Sequence, residues 1–429
     1  MPKGERIIDR LRILAQGARF DASCASDLGG GLTFKERKKD ISRFIYHSWT
    51  DSGRCVPILK VLLTNYCIYD CAYCYNRRSN DIERDSFMPE ELAYITSQLY
   101  KKGKIEGLFL SSGIVKSSNY TMELMYRTLQ LLRNKYEFLG YIHSKILPAT
   151  DEVLIEKIGR LSDRISVNVE FSSEESLKYL APDKDRDKVI RPIVKISELI
   201  NKYRSSDNSK CGSTLRFSPS GQSTQIIVGA TNDTDLKILL LSEYFYKRLG
   251  MSRVYYSAYV PVNEDSRLPY IKEPPLKREH RLYQADWLIR DYGFDTYEIV
   301  NNEHPNLRLE LDPKTEWAIN HIEYFPVEIN SADYEQLIRI PGIGKNSAKR
   351  IIDLRKYVSL DEDALKVLRI PFKKTRHFIK IKGKYQGEKL DSEYIRKAIK
   401  CRKAYEQISL KFSKKEIEEN VVASNTGEL

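Results

Sequence analysis

The sequence predicts an α/β fold followed by a basic, all-helical C-terminal domain, and three observations carry that expectation. Between residue 56 and about residue 295, short apolar runs alternate six times with helical stretches. That alternation is the pattern of a parallel sheet with helices outside it, either an open doubly wound sheet or an incomplete barrel. Three cysteines, Cys67, Cys71 and Cys74, stand just after the first apolar run, where such folds place their working face. Residues 331–405 hold 20 Lys and Arg against 9 Asp and Glu, eleven of the chain's twelve net positive charges.

The elements follow in order. Residues 1–50 read as a helical extension, "RIIDRLRILAQGA", that gives way to irregular chain around "SDLGGGL". Strand one, "VPILKVLL", ends at the cysteines, and helix "MPEELAYITSQLYKKG" follows with proline in its first turn and glycine at its end. Strand "GLFLSSG" leads to helix "YTMELMYRTLQLLRNKY", and strand "LGYIHSKILP" to helix "TDEVLIEKIGRL". Strand "RISVNVEFS" leads to the helical stretch "VIRPIVKISELINKYR". Strand "STQIIVGA" leads to "DTDLKILLLSEYFYKRLG", and "RVYYSAYVPV" to "KREHRLYQADWLIRDYG". The expected domains are an extension over 1–50, the α/β domain over 51–300, a connector over 301–329, a nucleic-acid-binding domain over 330–405 and a polar tail over 406–429.

Length and composition bound the class. A chain of 429 residues with 41% hydrophobic and 30% charged residues suits a globular protein of two or three domains. No run of eighteen apolar residues is present, and "MPKGERIIDRLRILAQ" lacks a signal-peptide core. The expectation is a cytoplasmic protein with reduced thiols. An odd count of seven cysteines fits no disulfide framework.

The spacing Cys67-x3-Cys71-x2-Cys74 asks for a chemical reason. Chance clustering is the plainest reading. Zinc is another, but it normally takes a fourth Cys or His, and His47 and His143 are distant in sequence. Thiolates also hold iron–sulfur clusters, usually four at a time. Three would leave one iron open to a substrate or cofactor. Cys24, Cys55, Cys211 and Cys401 are scattered singles with no paired spacing of their own.

The stretch "TNYCIYDCAYCYNR" resembles the Cx3CxφC signature of the radical S-adenosylmethionine (radical SAM) superfamily, with Tyr73 as the aromatic φ. Its place after strand one also matches that superfamily's partial (β/α)6 barrel, over roughly residues 55–295. The resemblance implies a [4Fe–4S] cluster on Cys67, Cys71 and Cys74. S-adenosylmethionine would occupy the fourth iron, and its one-electron cleavage would yield a 5′-deoxyadenosyl radical. A flavodoxin- or ferredoxin-like protein would donate the electron.

Residues at other strand ends are then candidates for cofactor contact. "SSGI" stands where the family usually has a "GGE"-like turn; Ser111, Ser112 and Gly113 are its candidates, and the glutamate is absent. On strand four, alternation sets Ser166, Asn168 and Glu170 on one face. A polar stripe in a strand buried on both sides suggests a ligand, so Asn168 and Glu170 are candidates. "IIVGA" resembles the family's adenine-binding strand and adds Gln225 and Gly229. His143 and Lys145 share a face of strand three, and either could meet the cofactor carboxylate. Tyr255, Ser257 and Tyr259 share a face of strand six, toward substrate or toward the core.

The basic segment opens with "INSADYEQLIRIPGIGKNSAKRIIDLRKY". Ser331 can cap a first helix, Pro341 stops it, and a second helix begins near Lys345 with free N–H groups. The stretch resembles a helix-hairpin-helix motif, which grips nucleic-acid phosphate. Gly342, Ile343, Gly344, Lys345, Lys349 and Arg350 are the expected contacts. "SLDEDALKVLRIPFKKTRHFI" reads as a degenerate second copy without the glycines.

Together the halves resemble bacterial radical SAM proteins regarded as DNA modification or repair proteins. The expected function is radical modification or repair of nucleic acid, DNA first. A radical enzyme acting on RNA such as tRNA is one alternative. A non-enzymatic DNA-binding protein with a structural or redox-sensing cluster is the other.

Overall fold

The computed structural model describes residues 3–19, 21, 45–49, 55–207 and 216–409. Helix α1 (Lys3–Ala18) precedes an edge strand, β1 (Ile45–Trp49), which pairs antiparallel with β2 (Cys55–Leu62). The remaining strands of this sheet are parallel and in sequence order: β3 (Gly107–Ser111), β4 (Tyr141–Lys145), β5 (Arg164–Ser166), β6 (Gln222–Val228) and β7 (Arg253–Ala258). The result is a seven-stranded curled half-barrel. Helices α2 (Pro89–Lys101), α3 (Ser118–Gln130), α4 (Glu152–Leu161), α5 (Glu174–Leu180), α6 (Arg186–Asp207) and α7 (Asp235–Leu249) lie between the strands.

Local chemistry explains the main elements. Asp151 accepts from Val153 N to start α4, and Leu154, Ile155 and Ile158 give that helix one buried stripe. Ser117 does the same for α3 through Tyr120 N. Strand β2 is buried on both faces, and even Lys60 is fully enclosed, its ammonium 4.8 Å from the Tyr46 ring centre and 5.7 Å from that of Phe109.

The chain divides into two compact units, Met1–Asp233 with Tyr244–Pro275, and Thr234–Glu243 with Leu276–Leu429. The second contains α8 (Leu276–Asp291), α9 (Thr296–Ile299), α10 (Pro313–Asn320), β8 (Val327–Glu328), α11 (Tyr334–Arg339), α12 (Lys345–Leu354), α13 (Glu362–Val367), α14 (Phe372–Thr375), β9 (Ile379–Ile381), β10 (Lys384–Tyr385) and α15 (Ser392–Ser409). Its core gathers Trp317, Leu337, Ile343, Ile351, Leu365, Phe378 and Ile379.

Four details differ from the sequence reading. Residues 45–49 form a strand rather than irregular chain, because "IYHSW" offers a β-prone edge to β2. Strand β5 stops at Ser166, three residues in. Beyond it Thr224 Oγ1 donates to Val167 O and accepts from Val169 N, replacing ladder bonds, and Glu170 turns to φ +64°. The second unit is helical, as expected, but adds a small sheet in the order β10-β9-β8. There the expected helix after "IPFKK" ends after four residues, and buried Ile379 and Ile381 carry the chain on as a strand. Finally, Asp333 rather than Ser331 caps α11, accepting from Gln336 N while the Gln336 side chain returns to Asp333 N.

Candidate functional site

In the first unit one cavity of about 160 Å³ collects side chains from the ends of the parallel strands. Cys67, Cys71 and Cys74 line it from the loop after β2, and Cys74 N donates to Cys71 O in a tight turn. Ser111, Ser112 and Gly113 line it after β3, Lys145 at the end of β4, and Asn168, Glu170 and Gln225 from the segment after β5 and from β6. Tyr73 joins them, its ring edge-on to Phe171 at 5.2 Å. Gly113 has a local reason: a Cβ there would collide with the Tyr66 carbonyl, so only glycine lets this turn close against the cysteine loop.

Two candidates are not brought to the cavity wall. His143 is buried, bonded to Ser166 Oγ at 2.9 Å and edge-on to Phe109. Burial, then Arg164 and Lys60, hold its pKa well below the usual histidine value, so it stays neutral. Gly229, at φ +88°, packs against Pro275. Ser257 and Tyr259 reach the cavity and Tyr255 does not; the Tyr255 hydroxyl instead accepts from Arg164 at 3.4 Å. Cys24 and Cys211, and the side chains of Cys55 and Cys401, lie outside the described residues.

Sequence reasoning missed three polar groups here. Lys184 Nζ donates to Glu170 at 2.8 Å and to the Tyr73 hydroxyl at 3.1 Å. Burial alone would lower the Lys184 pKa, but Glu170 overrides it and holds the amine well above the usual value, as an ammonium. Asp21 pairs with Lys145, and Asn76 enters from the cysteine loop. No pattern marks Lys184: "APDKD" is ordinary loop sequence.

Three thiols around one cavity fit the donor set of an iron–sulfur cluster. Among the described residues, no three His, Cys, Asp or Glu side chains gather closely enough for one metal ion. A cluster spreads its thiolates over several irons. Burial pushes the Cys71 thiol up to about 11, with Lys184 pulling the other way. Burial, then the Cys71 and Cys67 sulfurs, push Cys74 up to about 12. Such thiols ionise at neutral pH only when a metal takes the charge. Among the described residues Ser112 Oγ and Asn76 Oδ1 have no hydrogen-bond partner, as expected of walls that face a polar ligand.

A loop after β7 braces the cysteines. Asn263 Nδ2 donates to Ala72 O and Cys74 O at 2.7 and 3.0 Å, and Asp265 pairs with Arg77 at 2.7 Å. Arg267, followed by the backbone and Arg77, holds the Asp265 carboxyl well below the usual carboxylate range.

In the second unit α11 and α12 form the expected hairpin. Gly342 turns at φ +89° with Thr375 Oγ1 and Pro371 where a Cβ would lie, and Thr375 Oγ1 donates to Pro341 O. Ile343 is wholly buried, and its carbonyl accepts from the enclosed Lys314 at 2.5 Å. Gly344 is the N-cap position of α12. Lys345 pairs with Asp291 at 3.1 Å. Lys349 and Arg350 are exposed on the same helix.

A family model for the radical SAM superfamily matches residues 61–209, and one for the helix-hairpin-helix motif matches residues 324–382. The chain thus carries a radical SAM domain and a helix-hairpin-helix motif. Members of that superfamily use a [4Fe–4S] cluster and S-adenosylmethionine, and need an electron donor. The motif suggests nucleic-acid binding. No curated protein matches the sequence. Solved structures with similarity include HydG, a maturase of the [FeFe]-hydrogenase, at 15% identity and TM-score 0.40, covering 53% of this chain and 48% of that one. HydG from Carboxydothermus hydrogenoformans follows at 12% and 0.40, covering 72% and 80%. Methylornithine synthase (PylB) stands at 15% and 0.38, covering 52% and 58%. The chain therefore spans about half the length of the first HydG structure. Among the described residues no helix is long and apolar enough to cross a membrane.

Proposed function

We propose that this protein uses radical chemistry to modify or repair nucleic acid, with DNA as the substrate. The observation that carries the chemical half is one cavity lined by three thiols, Lys145, Glu170 and Gln225. Cys67, Cys71 and Cys74 would hold the cluster. A cluster and S-adenosylmethionine held there would supply the chemistry of hydrogen abstraction from the substrate. The chain's own residues bind, orient and exclude water. Lys145 offers a cation to a carboxylate, and Glu170 and Asn168 offer acceptors to hydroxyl or amine groups. Asn263 and Asp265 keep the cysteine loop in place. The helix-hairpin-helix motif, with exposed Lys349 and Arg350, supports the nucleic-acid half. Its grip on phosphate would read no base, and a duplex base would have to leave the stack to react.

Reconstituted, reduced protein should release 5′-deoxyadenosine, and duplex DNA should raise the yield above that with tRNA. A larger rise with tRNA moves the substrate to RNA. Release that no nucleic acid affects removes the substrate assignment and leaves the enzyme class.

A further inference from the structure

The hairpin β9–β10 carries a cationic tip that the helix-hairpin-helix reading does not use. We propose that Lys380, Lys382 and Lys384 form a second phosphate-binding surface, a basic wing that extends the footprint of this unit on a nucleic-acid backbone. The inference rests on the nucleic-acid reading above but concerns a different element.

The first observation is strain. Ile381 pairs with Lys384, and the two residues between them, Lys382 and Gly383, have φ of +53° and +77°. A two-residue turn of this hand favours Asn-Gly or Gly-Gly, because an L side chain with a Cβ is disfavoured in the left-handed region. Lysine is a poor residue for that position on conformational grounds. A long cation stands at an exposed position of the turn at the expense of stability, and such outliers point to function.

The second observation is anchoring. Glu328 accepts from Gly383 N at 2.7 Å, Lys382 N at 3.2 Å and Asn330 N at 3.1 Å. Its carboxylate is thus bound to the backbone of the tip. Below the tip, Ile379 and Ile381 are buried in the core of the unit, and the Tyr385 hydroxyl donates to His377 O. The lysines stand on a fixed base while Lys382 and Lys384 remain exposed.

The third is charge balance. Many cations of this unit already face a carboxylate: Lys345 with Asp291, Lys366 with Glu362, Lys374 with Asp312, Arg376 with Glu388 and Arg396 with Glu316. Lys380, Lys382 and Lys384 make no side-chain ion pair or hydrogen bond to any described residue. Set against the single carboxylate of Glu328 at the tip, three lysines within five residues leave it net positive, which suits a polyanion.

The test uses the full chain and two labelled duplexes of unrelated sequence, followed by fluorescence anisotropy across a salt series. Replacing all three lysines (Lys380→Gln, Lys382→Gln, Lys384→Gln) should lower the slope of log K against log salt by about 2 to 3, at about 0.9 for each phosphate no longer neutralised. Both duplexes should respond alike. Lys382→Gly should raise the thermal midpoint, because it relieves the left-handed lysine, yet weaken binding and lower the slope by about 1. A purely structural hairpin would gain stability with no loss of binding. An unchanged slope in the triple variant, with a lowered slope in Lys349→Gln/Arg350→Gln, would overturn the wing and leave the motif reading intact. Salt-independent binding by the unmodified protein would remove the nucleic-acid reading itself. Polyglutamate that competes as well as DNA, and loses that ability in the triple variant, would assign the wing to an acidic protein and overturn the proposal.

Discussion

Glu170→Gln tests the cavity most directly. The side chains of Lys184 and Glu170 are 12% and 7% exposed and 2.8 Å apart. At an effective dielectric of about 20, their attraction is roughly 6 kcal/mol. Most of that only offsets the cost of taking both charges out of water. Losing one partner is different, because an uncompensated charge stays behind. Glu170→Gln keeps the shape and one acceptor oxygen but removes the charge that compensates the Lys184 ammonium, so a loss of about 3 kcal/mol is expected. Lys184→Met should cost about 3–5 kcal/mol, since it strands a carboxylate. The double variant should cost much less than the sum. Urea unfolding by circular dichroism, with hydrogen exchange of peptides covering 164–172 to localise the change, measures the cycle. In parallel, Glu170→Gln should weaken S-adenosylmethionine binding about tenfold, as for one lost hydrogen bond to a charged group, with iron content unchanged. Additivity of the two substitutions within about 0.5 kcal/mol would refute the coupling. Unaltered cofactor affinity would refute the role of Glu170 in the pocket.

Other outcomes follow from the same geometry. Anaerobic protein should hold about four irons per chain, and Cys67→Ala, Cys71→Ala or Cys74→Ala should abolish the iron–sulfur absorbance; stoichiometric zinc in a colourless, reconstituted protein would refute the cluster. Asp265→Asn should release Arg77 and loosen the cysteine loop, so the cluster should bleach faster in air with the starting iron content unchanged; equal bleaching would show that the brace is idle. His143 binds its proton less readily folded than unfolded, so the unfolded state takes up more protons below about pH 6.5. Stability should therefore fall with acid there by up to about 1.4 kcal/mol per pH unit, and His143→Gln should remove that part of the slope in urea titrations between pH 7 and 5.

What the sequence could tell depended on whether a residue's role was local. Cysteine spacing and the six alternations are local patterns, and the three thiols and the half-barrel followed from them. "PGIG" likewise marked a turn whose Gly342 has the positive φ that only glycine adopts freely. Asn168, Glu170 and Gln225 reached the cavity although the strand that should have presented the first two ends at Ser166. Backbone bonds to Gln225 O and from Ile227 N rejoin Glu170 to the sheet, so the register survived the break. Gly229 had the expected composition but packs on Pro275, a neighbour 46 positions away that no local pattern reveals. Lys184 and Asp21 were illegible for the same reason, since their partners Glu170 and Lys145 are met only in the folded sheet.

The buried lysines show why composition alone cannot locate function. Of 71 Lys and Arg in the chain, Lys184 and Lys314 look no different in sequence from their solvated neighbours. Their environments solve the problem of a buried amine in opposite ways. Lys184 faces a carboxylate, so it stays charged inside the cavity and can act on a ligand's charge. Lys314 donates to the Ile343 carbonyl and lies over the Tyr292 ring, and burial, followed by the charge of Lys374, lowers its pKa well below the usual value. A weakly basic amine there binds the hairpin turn without adding to the field that nucleic acid would meet. The charge available to a polyanion is then carried by exposed residues such as Lys349, Arg350, Lys382 and Lys384 rather than by Lys314. The hairpin can be held rigid from below while its outer surface is free to trade counterions for phosphate.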